Sequence, residues 1–180
     1  MKNKSYLMIF LISVIILVGL ILCVFIINCN NSDCNCNKEK VVLNTNFGVN
    51  DFCDMIVKTG EFKDIVTPKN TTFGNYSYYA ASNSSNTYFE VTTIITNLYS
   101  IAKEPSELCK IKLIYDNHYI YDTKYVIPRE SNFNIYKSVQ PLETLDVSFI
   151  VEIPKILKET DKPLSLIIII QEKIFEINLR

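Results

Sequence analysis

The chain has 180 residues, with four glycines, one histidine and a formal net charge of −1. So few glycines exclude a glycine-rich phosphate loop, and one histidine leaves almost nothing from which to build base-assisted nucleophilic catalysis. Lysines and arginines are interspersed with acids rather than clustered, so no phosphate-binding face forms and nucleic acid is not an expected partner.

In chain order, residues 1–5 are a short polar N-terminus carrying Lys2 and Lys4. From Tyr6 to Ile27, seventeen of twenty-two residues are Leu, Ile, Val or Phe, and none is charged. At about 1.5 Å per residue this run makes a helix of roughly 33 Å, enough to cross a hydrocarbon core of about 30 Å. A helix buried in a soluble core would show a polar stripe, and this run has none. The expectation is a transmembrane helix over 6–27. Lys2 and Lys4 precede it, whereas the first lysines beyond are Lys38 and Lys40, so the positive-inside bias leaves the N-terminus cytoplasmic and exports the remainder. The run is too long for a cleaved signal peptide and lacks the small residues of a cleavage site, so an uncleaved signal-anchor is expected. Leu22 before Cys23 and Asn28 before Cys29 also fit a lipidation signal poorly; a surface lipoprotein is the alternative.

Residues 28–51 read as a Cys- and Asn-rich linker without a sustained hydrophobic period. Cys29, Cys34 and Cys36 fall within it, and outside the cell they can pair with one another or with a second chain, giving a disulfide-linked dimer. Three thiols without a nearby fourth ligand do not make a metal site, since His118 is far away in sequence. No metal or other cofactor is expected.

Residues 52–180 read as one β-domain. Cys53, Met55 and Val57 share one side of a short strand, and a polar connection follows over 67–87, with a short strand around Tyr76–Ala80. Phe89, Val91, Thr93 and Ile95 alternate with Glu90, Thr92 and Ile94. Cys109, Ile111, Leu113 and Tyr115 alternate with Lys110, Lys112 and Ile114, and Leu145, Val147, Phe149, Val151 and Ile153 lie on one side of a later strand. Period two with β-branched and aromatic residues on one side marks half-buried strands, whose apolar faces require a second sheet. Hairpins are expected at Asp116-Asn117-His118 and Gln171-Glu172-Lys173, where the polar residues favour turns. Ile167–Ile170 is apolar on both sides, as in a central strand, and Lys155–Lys162 suits one helical turn. Cys53 and Cys109 can bridge two strands. The fold class is all-β, an antiparallel β-sandwich preceded by one transmembrane helix.

Three segments carry a resemblance. Tyr88-x-x-Val91-x-x-x-Ile95-x-Asn97 is a strand ending in asparagine; Tyr115-Asp116-Asn117-His118-Tyr119 is a hairpin; and Pro141-Leu142-Glu143 precedes a late strand that ends at Pro154. Over roughly 52–180 the chain resembles the immunoglobulin-like domains of unknown function found behind lipoprotein or transmembrane anchors in Gram-positive bacteria. Those are structurally similar to a secreted mycobacterial immunoprotective antigen. The resemblance implies an extracellular binding or adhesion-like module and brings no catalytic residues.

No serine lies in a nucleophile elbow, and His118 reads as an exposed turn residue. Asp51 with Asp54, and Glu159 with Asp161, read as solvated loop acids, and no acid-rich loop supplies the oxygens of a calcium site. The remaining candidates are tyrosines: Tyr76, Tyr78 and Tyr79 in one loop, and Tyr119, Tyr121 and Tyr125 near one hairpin, as contact surface or sheet packing. The expected function is a non-enzymatic, membrane-anchored surface module that contacts a protein or envelope polymer. The alternative is a structural subunit of an envelope membrane complex.

Overall fold

In the computed structural model the described residues are 38–67, 79–81, 83–129 and 137–180. The expected transmembrane helix, Cys29, Cys34, Cys36, Tyr76 and Tyr78 lie outside them. Among the described residues no helix is long and apolar enough to cross a membrane.

The strands are β1 (Lys38–Lys40), β2 (Asn46–Val49), β3 (Cys53–Lys63), β4 (Ile65–Val66), β5 (Tyr79–Ala80), β6 (Asn86–Asn97), β7 (Lys110–Tyr115), β8 (Tyr119–Pro128), β9 (Thr144–Pro154), β10 (Leu164–Ile170) and β11 (Lys173–Asn178). A four-residue helix α1 (Pro105–Leu108) precedes β7, and a 3-10 turn (Lys155–Glu159) follows β9 where one helical turn was expected. One sheet runs β1-β11-β10-β7 and ends on the first half of β8; the other starts on the second half of β8 and continues β9-β6-β3-β2. Their inner faces meet in one core, in which the rings of Phe47 on β2 and Phe175 on β11 lie 4.8 Å apart.

The alternation read from sequence sets these faces. Phe89, Val91 and Ile95 on β6, Leu145 to Ile153 in alternate positions on β9, and Cys53, Met55 and Val57 on β3 are all buried in the core. Burial of each large apolar side chain favours folding by about 1.5–3 kcal/mol, so a one-residue slip of register would lose the whole set at once. β10 lies between β11 and β7, and Ile167, Ile168 and Ile170 are buried, as an interior strand requires.

Two expectations need correction. The sandwich begins at Lys38 rather than at residue 52, because β1 and β2 occupy part of the expected linker. β1 is wholly exposed and joins the sheet through backbone pairing with β11, so its side chains carry no period-two signal. The pairing of β1 with β11 is parallel, the exception in an otherwise antiparallel pair of sheets. Cys53 and Cys109 form no disulfide; each is a buried free thiol. The Cys53 thiol donates to the Asp54 carbonyl at 3.5 Å and that of Cys109 to the Pro105 carbonyl at 3.9 Å, so they act as small core side chains.

Candidate functional site

A groove built by these strands lies where β8 changes sheets. β8 pairs with β7 only from Lys112↔Asp122 to Tyr115↔Tyr119, then pairs with β9 from Thr123↔Val151 onward, with a bulge between Thr123 and Tyr125. Such a bulged strand makes the corner of a sandwich. The departing strand leaves the start of β7 without a neighbour on that side. Thr123 Oγ1 fills part of the gap by donating to the Ile111 carbonyl at 2.7 Å.

What remains is a groove of about 330 Å³. Cys109, Ile111 and Phe149, all buried residues, form its deep side, and Lys110, Lys112 and Asp122 stand at its rim. Lys112 Nζ is 2.9 Å from Asp122 Oδ1, while Ser106 supplies a hydroxyl from α1. A second hollow of about 160 Å³ flanks the same Cys109–Lys110 segment from the other side. α1 holds this segment in place: Pro105 opens the helix, Glu107 accepts the Glu104 N–H at 2.8 Å, and the Cys109 N–H donates to the Pro105 carbonyl at 3.2 Å. Burial pushes the Cys109 thiol well above its ordinary range, with a further rise from neighbouring Cys53. The thiol is therefore protonated and is no nucleophile at neutral pH. The groove combines an apolar floor with a charged rim, an arrangement suited to binding.

The tyrosines divide differently from their order in sequence. Tyr79 lies tilted against Tyr125 at 4.7 Å between ring centroids, and both pack on a small cluster of Val66, Tyr88, Ile127 and Ile150 outside the main core. Tyr88 Oη donates to the Ala80 carbonyl at 2.9 Å, fastening β5 there. Tyr79 and Tyr125 are thus structural. Tyr121 packs against the main core, and Tyr119, exposed, lies against Tyr115. His118 sits on the exposed β7–β8 turn, with Nδ1 2.7 Å from the Asp116 carbonyl oxygen. Asp116 and Asn117 there have φ of 51° and 58°, the left-handed geometry expected of this hairpin.

Asn97, noted in sequence only as a strand end, organises one end of the sandwich. It is fully buried; its Nδ2 donates to the carbonyls of Ile101 at 2.9 Å and Val139 at 2.8 Å, and its Oδ1 accepts the Tyr99 N–H at 2.9 Å. Its carbonyl accepts the Leu142 N–H at 2.7 Å. Leu142 is the third residue of the turn Gln140–Glu143, closed by the Glu143 N–H on the Gln140 carbonyl at 3.0 Å. Its φ is 64°, a position that glycine or asparagine occupies without strain. For leucine this conformation costs about 1–2 kcal/mol.

The solved structures most similar in fold include an uncharacterised β-sandwich protein of Clostridium difficile. It shows 25% identity, covers 79% of this chain and 95% of its own, and superposes with a TM-score of 0.70. A conserved hypothetical protein of Bacillus anthracis shows 15% identity over 71% of this chain and 88% of its own, with a TM-score of 0.49. A Bacillus subtilis protein provisionally named a lipoprotein shows 7% identity over 75% of this chain and 38% of its own, with a TM-score of 0.43. The last two superpose too loosely to carry weight. No protein-family profile matches the chain, and no curated protein is detectably similar to it.

Proposed function

We propose that this chain is a membrane-anchored, non-catalytic binding module of immunoglobulin-like type, held outside the cytoplasmic membrane by residues 6–27. It contacts an extended protein segment or envelope polymer in the groove beside Lys110. The groove itself carries this reading: an apolar floor bordered by Lys110 and the Lys112–Asp122 pair is left open because β8 abandons β7. The β-sandwich shared with the clostridial protein supports the architecture. The connections β6 to β7 and β9 to β10, each passing from one sheet to the other, support the immunoglobulin-like type. The uncharged run over 6–27 supports the anchor.

Photo-crosslinking in intact cells tests this function. A benzophenone side chain placed at Lys110 of the full-length chain is expected to form a discrete adduct. The same probe at exposed Lys158, beyond the far end of β9, is expected to form none. Adducts of equal yield at both positions, or none at Lys110, would refute a groove-borne contact.

A further inference from the structure

The described chain begins at one particular end of the sandwich, and that end carries an apolar tip. Lys38 of β1 is in register with Ile174, next to the β10–β11 turn, and Lys110 at the start of β7 is in register with Ile169 at the same end. In the other sheet Cys53 pairs with Asn97, so the β2–β3 turn and the loop after β6 lie at the end where β9 begins. The loop after β6 runs directly through α1 into β7, which places both sets of turns at one end. Three apolar side chains project there from the loops that Asn97 ties together: Leu142, Ile101 and Tyr99, exposed to 78%, 57% and 38%. The fold does not need Leu142, which is held in a strained turn position with its side chain in solvent.

The length of the preceding chain says what this tip meets. Residues 28–37 separate the apolar run from β1; fully extended, they span at most about 35 Å. β6, twelve residues long, measures about 40 Å. A tether that short cannot run the length of the sandwich to turn its far end towards the bilayer. Building on the anchor reading above, we propose that the end formed by Tyr99, Ile101 and Leu142 rests in the interface of the same lipid bilayer that holds residues 6–27. Lys38, Lys103, Lys110, Lys137 and Lys173 at this end are matched by Asp51, Glu104, Glu107, Glu143 and Glu172, so apolar insertion rather than anionic lipid drives the contact. The short tether keeps the tip at an effective concentration on the order of millimolar, so a weak intrinsic affinity suffices.

The chain contains no tryptophan, so an introduced one reports its own position. Full-length variants Leu142→Trp, Tyr119→Trp and Val18→Trp are reconstituted in vesicles of phosphatidylcholine, with and without bromine on the acyl chains. Leu142→Trp is expected to lose much of its emission in brominated vesicles, unchanged by added salt, while Tyr119→Trp, at the opposite end, stays bright. In a second series, Tyr99→Trp is expected to be quenched, and less so when Leu142→Gly, which relieves the turn, removes the most exposed apolar side chain of the tip. Leu142→Trp as bright in brominated as in plain vesicles, with Val18→Trp quenched, overturns the resting surface and leaves the anchor standing. Quenching of Tyr99→Trp undiminished by Leu142→Gly also counts against the tip. An unquenched Val18→Trp overturns the anchor itself, and the proposal with it.

Discussion

Replacing Asn97 by alanine removes three hydrogen bonds from a fully buried position: two donated to the carbonyls of Ile101 and Val139, and one accepted from the Tyr99 N–H. Each is worth about 0.5–1.5 kcal/mol net, and partners left dry cost more, so the expected loss is about 3 kcal/mol. Urea denaturation of the fragment Asn37–Arg180, the unit that contains the whole described core, measures it directly. The loss should appear as a lower midpoint with an unchanged slope, because the core strands stay in place. Limited proteolysis should also cut more readily within 98–104, the loop that Asn97 pins. Asn97→Asp should be worse than alanine at neutral pH, since it discards both donated bonds and buries a charge facing two carbonyls. A loss below about 1 kcal/mol for the alanine variant would refute the view that this side chain clamps the loops.

Leu142→Gly should stabilise the same fragment by about 0.5–1 kcal/mol in the urea assay, the left-handed strain removed outweighing glycine's extra chain entropy; a lower midpoint would contradict the strain assignment. Burial, aided by neighbouring Asp54, pushes the Cys53 thiol up to about 12. Only about one thiolate in ten thousand then exists at pH 8, so Cys53 and Cys109 should resist iodoacetamide in the native fragment and react promptly in urea; rapid native labelling would contradict the packing. The Gln140 N–H, bonded to Glu143 at 2.8 Å, lowers that carboxyl below its ordinary value, helped by Lys137. A lowered folded-state value means stability present at neutral pH and lost as pH falls through it. The stability difference between wild type and Glu143→Gln should therefore be modest at pH 7 and shrink in acid; a difference that grows on acidification would reverse the sign.

Much of the architecture was legible because burying one face of a strand leaves a period-two trace. Phe89 to Ile95 and Leu145 to Ile153 announce their inward sides, and Ile167–Ile170 announces an interior strand by being apolar on both sides. The Asp116–Asn117 turn was legible for a local reason, since those side chains tolerate positive φ. By itself, then, the order of residues determined the long strands from β3 onward, their inward faces and the uncharged run over 6–27. Tertiary structure alone decided the features on which the candidate site depends. β1 is recruited by backbone bonds to β11, which leave no mark on its exposed Lys-Glu-Lys. The groove exists because β8 leaves one sheet for the other at Thr123, and Tyr79 meets Tyr125 only through the packing of β5. These depend on pairings between residues distant in the chain, whereas periodicity records only how each segment meets its own surroundings.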